Sequence, residues 1–196
     1  MEKTRGAYAK GIAKRAAILE KALEAFAKSG YLATSMREIA AASDLTQAGL
    51  LHHFPNKESL LLAIIEQRDA RTAEMVAELG DLPLIDRSLK MLERNQANRT
   101  ETLVFSILAA EAEDVSHPAH EYMLNRYRAV RTNWATDVCK LRGGTTVTEE
   151  DRTKAALIAA VWDGLQLQSL LEEDFDMRGP LKYALEMIIG HLTAYT

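Results

Sequence analysis

The stretch TSMREIAAASDLTQAGLLHHFPNKESLL, residues 34–61, decides the fold that this sequence predicts. Ser35 and Glu38 have the S-x-x-E spacing of a capping box, in which each side chain accepts a hydrogen bond from the other residue's backbone N–H. The box satisfies two N–H groups that would otherwise lack partners at a helix start. The stretch therefore begins with a short helix over about residues 36–43.

A turn and two more helices follow in the same stretch. Asp44 lies where the chain must reverse, and aspartate tolerates the left-handed backbone conformation of such a turn. Thr46 is an N-cap residue type and predicts a second short helix over Gln47–His53. Asn56 caps a long helix over Lys57–Leu79. Two short helices joined by a tight turn form a helix-turn-helix, whose second helix enters the major groove of DNA.

Composition predicts that the remainder of the chain is helical as well. The 196 residues include only 10 Gly and 4 Pro, and 47% of them are hydrophobic. We expect an all-α fold of about nine helices. The helices predicted outside the opening stretch are Lys10–Ser29, Leu84–Arg94, Glu101–Glu113, Pro118–Leu141, Asp151–Leu171 and Pro180–Leu192.

Charge is divided unevenly along the chain, whose formal net charge is -4. Residues 1–60 carry nine Lys and Arg against six Asp and Glu, whereas residues 61–196 carry 15 against 22. A basic N-terminal arm on an acidic body favours a polyanion such as DNA as the partner of the first part alone. A solvated arm without a partner is the alternative.

Hydropathy and cysteine content exclude several classes of protein. The longest apolar run, Ala155–Trp162, is far shorter than a membrane span, and no apolar segment follows the basic N-terminus. We therefore expect a cytoplasmic protein with no membrane partner. Cys139 is the only cysteine, which excludes an intramolecular disulfide and a cysteine-based metal site. We expect neither a metal nor another cofactor.

The second helix of the predicted helix-turn-helix carries side chains that can read DNA. Gln47 can bond bidentately to adenine, Ala48 can contact a thymine methyl group, and His52 can donate to a phosphate. Gly49 costs about 1 kcal/mol of helix stability relative to alanine but permits a closer approach to the bases. Lys57 stands at the start of the next helix, where free N–H groups and the helix dipole also favour a phosphate.

In their order and spacing, these residues resemble the DNA-binding domain of the tetracycline-repressor (TetR) family of bacterial regulators. The resemblance covers about the first third of the chain and is carried by Phe26, Gly30, Thr34, Ile39, Ala40, Leu45, Thr46, Leu50, His53, Phe54, Pro55, Lys57 and Leu60. The sequence departs from the family pattern at Asp44, where glycine is usual, and at Leu51, where a tyrosine that contacts a DNA phosphate is usual. The resemblance implies that DNA contacts come from Thr34, Arg37, Thr46, Gln47, Ala48, Gly49, Leu51, His52 and Lys57.

The resemblance also implies a second domain and a second partner. It predicts a helix-turn-helix domain with a basic arm over residues 1–56 and a helical ligand-binding and dimerisation domain over residues 57–196. In this family the last two helices of each subunit form a four-helix bundle in a homodimer. The dimer contacts expected here are Ala155, Ile158, Ala159, Trp162, Leu181, Leu185, Ile188 and Leu192. The expected effector pocket consists of Phe105, Met123, Tyr127, Trp134, Trp162 and Gln166, although aromatic residues at helical spacing are also typical of a core.

The predicted function is a regulator, and not an enzyme, that represses transcription as a homodimer. It would bind a pseudo-palindromic operator in double-stranded DNA until a small-molecule effector weakens the complex. A helical small-molecule-binding protein with a vestigial DNA-binding head is the rival hypothesis, favoured by Leu51 and the acidic body.

A metal or catalytic site is a further alternative, raised by EAEDVSHPAHEY at residues 111–122. Its spacing is H-x-x-H-E, whereas zinc proteases place two histidines on one helical face with H-E-x-x-H. We therefore interpret the segment as a junction between two helices. The candidate ligands are Glu111, Asp114, His117, His120 and Glu121.

Overall fold

The computed structural model describes residues 2–190, with side chains for residues 11–190. All regular secondary structure in this part of the chain is helical, which confirms the predicted fold class. The nine helices of the described residues are α1 (Glu2–Ala33), α2 (Met36–Ala42), α3 (Gln47–His53), α4 (Lys57–Leu79), α5 (Leu84–Ala97), α6 (Arg99–Glu111), α7 (His120–Leu141), α8 (Glu149–Leu171) and α9 (Arg178–Gly190).

The helix boundaries agree best with prediction around the helix-turn-helix. Both α3 and α4 have the predicted bounds. By contrast, α1 begins at Glu2 instead of Lys10, and α6 begins at Arg99 instead of Glu101. The predicted end of the last helix, at Leu192, lies outside the described residues.

Packing divides the chain into two compact units. The first unit extends to Glu78 and also contains Leu103–Ala119, whereas the second contains Leu79–Thr102 and the described residues from His120 onwards. This division differs from the predicted boundary after residue 56, because α4 and most of α6 belong to the same unit as α1–α3. The assignment of functions to residues 1–56 and 57–196 stays a prediction.

The first unit encloses one side of the helix-turn-helix in its core. Leu50 and Phe54 are fully buried, as predicted, and Ile39 of α2 and Leu60 of α4 are fully buried as well. Because the inner face of α3 is thus fixed by packing, its opposite face is held outward.

The second unit has its own hydrophobic core, to which α5, α7, α8 and α9 contribute. The core residues are Leu89, Leu92, Val138, Ile158, Leu165, Met177, Leu181 and Leu185. Trp134 and Trp162 are partly buried and pack against this core.

Candidate nucleic-acid interface

The helix-turn-helix is held by the local hydrogen bonds that the sequence predicted. The Ser35 hydroxyl accepts from the backbone N–H of Glu38 at 3.2 Å, and the Glu38 carboxylate accepts from the N–H of Ser35 at 2.7 Å. The backbone N–H and hydroxyl of Ser35 lower the pKa of Glu38. Asp44 has a φ of 54°, and Thr46 Oγ1 accepts from the N–H of Gly49 at 3.1 Å. The capping box, the left-handed turn and the N-cap of α3 are therefore confirmed.

The outer face of α3 carries most of the predicted reading residues. Gln47, Ala48, Leu51 and His52 are exposed, and Leu51 retains 40% of its accessible surface. Outside this face, Thr46 at the N-cap of α3 and Arg37 on α2 are also exposed. Their contacts with DNA stay predictions.

Gly49 is half-buried on α3, and its surroundings give a second reason for a glycine there. A Cβ at this position would lie 3.3 Å from Thr46 Oγ1, which is tighter than ordinary van der Waals contact. A larger residue would therefore crowd the N-cap of α3 as well as any approaching base.

Thr34 is not positioned as the sequence predicted. Its side chain is buried, and its hydroxyl donates to the backbone carbonyl of Gly30 at 2.7 Å. A phosphate contact by this hydroxyl is incompatible with that burial, so Thr34 is removed from the set of DNA contacts. It fixes the connection between α1 and α2 instead.

Lys57 also differs from prediction. Its ammonium donates to the carbonyl oxygens of Tyr31, Leu32 and Thr34 at 2.8, 3.1 and 2.9 Å, and it lies 4.4 Å from the centroid of the Tyr31 ring. Burial lowers the pKa of Lys57, and the nearby Glu111 carboxylate partly offsets this. Because all three N–H bonds have partners within the chain, the predicted phosphate site at Lys57 is corrected to an internal cap.

Two further cations of the N-terminal region have similar internal roles. Lys14 Nζ donates to the carbonyl of Ser43 at 3.0 Å, at the end of α2. Arg15 donates to the carbonyl of His53 at 2.9 Å, at the end of α3, and its guanidinium lies 4.0 Å from the centroid of the Phe54 ring. These side chains satisfy carbonyl groups that a helix end leaves without partners. From their positive charge alone, the sequence predicts that both residues bind a polyanion.

Comparisons with known proteins agree with this geometry. Residues 18–64, which include α2 and α3, match the family model described as bacterial regulatory proteins of the tetR family. This part of the chain is therefore a TetR-family domain. The HTH-type transcriptional repressor AcnR of Corynebacterium glutamicum is 36% identical over 80 residues, which are 41% of this chain and 43% of AcnR. The chain therefore matches less than half the length of this curated relative.

Solved structures extend the likeness of fold along most of the chain. A transcriptional regulator from Rhodococcus sp. Rha1 has a TM-score of 0.71 at 22% identity, covering 92% of this chain and 96% of that chain. SmeT, a repressor from Stenotrophomonas maltophilia solved in complex with triclosan, has a TM-score of 0.73 at 20% identity, covering 91% of each chain. At these identities the likeness shows a shared fold alone.

The second unit contains a cavity of about 180 Å³. The cavity is lined by Asn95, Gln96, Arg99, Thr102, Gln166, Ser169, Leu170, Glu173, Phe175 and Met177. Gln166 Oε1 accepts from Asn95 Nδ2 and from Trp162 Nε1, both at 3.2 Å. Arg99 donates to the carbonyl of Leu170 at 2.7 Å, near the end of α8. Polar groups therefore surround much of the cavity.

The predicted pocket residues are largely elsewhere. Gln166 is the one predicted residue that lines this cavity. Trp134 and Trp162 pack on the core of the second unit, Met123 is buried, and Phe105 lies in the first unit with the Arg68 guanidinium 3.9 Å from its ring centroid. Large apolar rings gain most by packing into a core, which explains their placement.

The predicted dimer contacts need correction, because most of them point into their own unit. Ala155, Ile158, Ala159, Leu181 and Leu185 are buried. Trp162 and Ile188 are partly buried against the same core, and Leu192 lies outside the described residues. Side chains that are already inaccessible in one subunit cannot supply the surface for another.

The apolar residues that are exposed on α8 and α9 lie on other faces. On α8 they form a stripe of Leu157, Ala160, Gly164, Leu167 and Leu171, spaced by three and four residues. Tyr183 and Met187 form a shorter stripe on α9, and α8 and α9 pack against each other. We refer to these as the α8 stripe and the α9 stripe.

The described residues can be compared with the requirements of a membrane-spanning helix and of a metal site. Among residues 2–190, no helix combines the length and apolarity needed to cross a membrane. The described side chains contain no group of three His, Cys, Asp or Glu placed to hold a metal ion. Within the segment that raised this alternative, His117 is buried, and its Nδ1 accepts from the N–H of Ala119 at 3.1 Å.

Proposed function

We propose that this chain is a transcriptional repressor of the TetR family that binds operator DNA through the outer face of α3. The observation that carries the proposal is the orientation of this face. Leu50 and Phe54 anchor α3 in the core, while Gln47, Ala48 and His52 project into solvent. A short helix held in this way has the size and the donor groups to read bases in the major groove. We place its action in the cytoplasm, where bacterial DNA is accessible.

We further propose that the repressor acts as a homodimer assembled through the α8 and α9 stripes. Leu157, Leu167 and Leu171 are 52%, 56% and 83% exposed, and Tyr183 and Met187 are 67% and 50% exposed. Apolar side chains at this density favour burial against a second copy. A two-fold dimer would present two α3 helices to half-sites about 34 Å apart, which corresponds to a pseudo-palindromic operator.

A small-molecule effector is the third part of the proposal. The second unit contains a cavity that offers amide, hydroxyl and guanidinium groups beside the apolar Phe175 and Met177. SmeT, a repressor with a similar fold, was solved with triclosan bound. By analogy, an effector that binds one state of the second unit more tightly than the other would change operator affinity.

The proposal is tested by binding of the purified protein to duplex DNA from upstream of its own gene. Fluorescence anisotropy should detect a sequence-specific complex whose affinity falls steeply as KCl rises from about 50 to 200 mM. The rival, a small-molecule binder with a vestigial head, is favoured by the exposed Leu51 in place of a phosphate-binding tyrosine. It predicts only weak binding that does not distinguish this duplex from a scrambled one.

Gln47→Ala should lower affinity for the operator by about 10-fold, within the 1–3 kcal/mol range of a lost bidentate contact to adenine. Binding to a scrambled duplex should change little, because that binding depends on phosphate contacts. Gln168→Ala, which removes an exposed glutamine from α8, is the matched control. An equal loss on both duplexes would show that Gln47 does not read a base.

Arg15→Ala should weaken operator binding by about fivefold without changing its salt dependence. The variant loses the hydrogen bond to His53 and the contact with the Phe54 ring, so the end of α3 becomes less well fixed. Titrations at several KCl concentrations measure the slope, and Lys28→Ala removes an exposed charge from the same helix as a control. A slope reduced by about one would instead identify Arg15 as a phosphate contact.

A further inference from the structure

Residues 30–34 comprise the end of α1, from the kink at Gly30, and the first residue after it; they lead into α2 and are here called the bridge segment. Lys57 binds three of its carbonyl oxygens, as described above. Two N–H groups of the same segment are bound by Glu111, at the end of α6. Its carboxylate accepts from the N–H of Tyr31 at 3.1 Å and from the N–H of Leu32 at 3.5 Å. The bridge segment is therefore held between a cation and an anion that belong to two other helices.

Gly30 makes the close approach of Glu111 possible. Its backbone has φ 78° and ψ 166°, which interrupts α1 immediately before the two N–H groups that donate to Glu111. A Cβ on Gly30 would lie only 2.5 Å from Glu111 Oε1. Only glycine combines this positive φ with the space that the carboxylate occupies.

A buried histidine, His117, lies beside Glu111, and one of its ring nitrogens has no hydrogen-bond partner among the described residues. His117 Nδ1 accepts from the N–H of Ala119, so the neutral ring carries its proton on Nε2. Nε2 is buried and has no hydrogen-bond partner among the described residues. It lies 3.8 Å from Glu111 Oε2, and the imidazole packs edge-on against the Tyr31 ring with centroids 5.0 Å apart.

We propose that Glu111, through the bridge segment, is a positioning residue for α3, the helix proposed to read DNA. We propose further that protonation of His117 weakens this positioning. A second proton must enter at Nδ1, which breaks the hydrogen bond from Ala119. The resulting imidazolium then competes with the N–H groups of Tyr31 and Leu32 for the Glu111 carboxylate. Because α2 starts only two residues after the bridge segment, its release lets α2 and α3 move. The inference depends on the proposed function, since its consequence is weaker operator binding in acid.

The charges around His117 determine the direction of the effect. Burial lowers the pKa of His117, and Lys57 of α4 acts in the same direction. Glu111 of α6 and Asp114 in the following loop act in the opposite direction without reversing the shift. On the α1 side the neighbour is Tyr31, a phenol whose pKa is raised by burial, so it is uncharged below neutral pH.

The direction in which pH changes the stability of the closed arrangement follows from the lowered pKa of His117. Here the closed arrangement is the one in which Glu111 holds the bridge segment. The closed arrangement holds His117 neutral, whereas a released imidazole titrates near pH 6.5. The closed arrangement is therefore fully favoured above about pH 7 and loses stability relative to the released one as the pH falls through about 6.5. Operator affinity should decrease over the same range.

The experiment compares operator binding between pH 7.5 and 5.5 for the wild type and His117→Gln. Glutamine can accept from Ala119 and donate to Glu111 but does not titrate in this range. We expect acidification to weaken wild-type binding by about three- to tenfold more than it weakens binding by His117→Gln. Because His52 and His53 are present in both proteins, any contribution that they make to DNA binding cancels in the ratio. Parallel pH profiles would overturn the role of His117.

The positioning role of Glu111 is tested with Glu111→Gln and Glu113→Gln. Both changes remove one negative charge at or just after the end of α6, but Glu113 is exposed, whereas Glu111 accepts hydrogen bonds from the bridge segment. We expect Glu111→Gln to bind operator about tenfold more weakly at pH 7.5, with a flatter pH profile, and Glu113→Gln to match the wild type. Equal behaviour of the two variants would overturn the assignment.

A measurement without DNA separates this inference from the proposed function. Amide hydrogen exchange of Tyr31 and Leu32, followed by NMR, reports directly whether the bridge segment is held. Protection should decrease at least fivefold in Glu111→Gln, and in acid it should decrease in the wild type but not in His117→Gln. If protection changes in this way and no duplex is bound, the proposed function fails and the Glu111–His117 coupling stands. Unchanged protection in Glu111→Gln would refute the coupling.

Discussion

Leu167→Glu should convert the proposed homodimer into a monomer and lower operator affinity by about 100-fold or more. Leu167 lies within the α8 stripe, between Gly164 and Leu171, and is 56% exposed. A carboxylate placed there must lose its hydration on association, and the opposing apolar stripe offers it no cation. Burial of an unpaired charge costs several kcal/mol, which exceeds what one leucine contributes to an interface.

The loss of DNA binding follows from the geometry of two half-sites. A dimer binds its second half-site as an intramolecular event, and a monomer loses this advantage completely. Sedimentation velocity at micromolar protein measures the subunit count, and anisotropy with the same operator measures the affinity. Circular dichroism should show unchanged helix content, because Leu167 is not a core residue of its own subunit.

Leu82→Glu is the matched control for this experiment. Leu82 is 40% exposed and lies in the loop before α5, outside both apolar stripes. The same chemical change there should leave both the subunit count and the affinity unchanged. Persistence of the Leu167→Glu dimer would show that the two copies associate through a different surface.

The helix-turn-helix could be predicted from sequence because its determinants are local. The partners of the Ser35–Glu38 box are three residues apart, as are Thr46 and Gly49. The left-handed conformation of Asp44 likewise depends on one residue type at one turn. Interactions of this kind leave a fixed spacing in the sequence, so the sequence alone is enough to place the outward face of α3 correctly.

The apolar surface of α8 could not be assigned in the same way. Ala155 and Ile158 are spaced by three residues, and so are Leu157 and Ala160. The first pair is buried in its own unit and the second is exposed, yet periodicity treats them equally. Choosing between two apolar faces of one helix requires knowledge of which neighbours already cover it.

The roles of the cations were missed because their partners are distant in sequence. Lys14 and Arg15 bind carbonyl groups 29 and 38 residues away, and Lys57 binds a carbonyl 26 residues away. A backbone carbonyl is available at every position, so no residue type marks the acceptor. The only signal in the sequence is an excess of positive charge, which indicates DNA and helix capping equally well.

The second large effect is expected at the start of α8, where Asp151→Ala should lower the free energy of unfolding by about 3 kcal/mol. Asp151 is buried, and its carboxylate accepts from Arg142 Nε at 2.9 Å, from Arg142 Nη2 at 2.8 Å and from the N–H of Thr148 at 2.8 Å. Its own N–H donates to the Thr148 hydroxyl at 3.2 Å, which completes a capping box. Removing the carboxylate leaves the guanidinium and one backbone donor without this partner.

Urea denaturation followed by circular dichroism measures the change, and Glu149→Ala is the control from the same turn. Glu149 is exposed, and its ion pair with Arg152 spans 3.4 Å at the surface, so its loss should change stability by less than about 0.5 kcal/mol. A comparable loss in both variants would mean that the effect arises from helix-dipole charge, not from the buried contacts.

The pH dependence of this variant identifies the form of Asp151 that stabilises the fold. Hydrogen bonding to Arg142 holds the pKa of Asp151 far below its usual range. In the unfolded chain the group titrates near pH 3.9, so its stabilisation is fully present above about pH 5 and decreases as the pH falls toward the folded value. The stability difference between wild type and Asp151→Ala should therefore narrow between pH 5 and pH 3. A constant difference would mean that packing of the side chain, not its negative charge, fixes the start of α8.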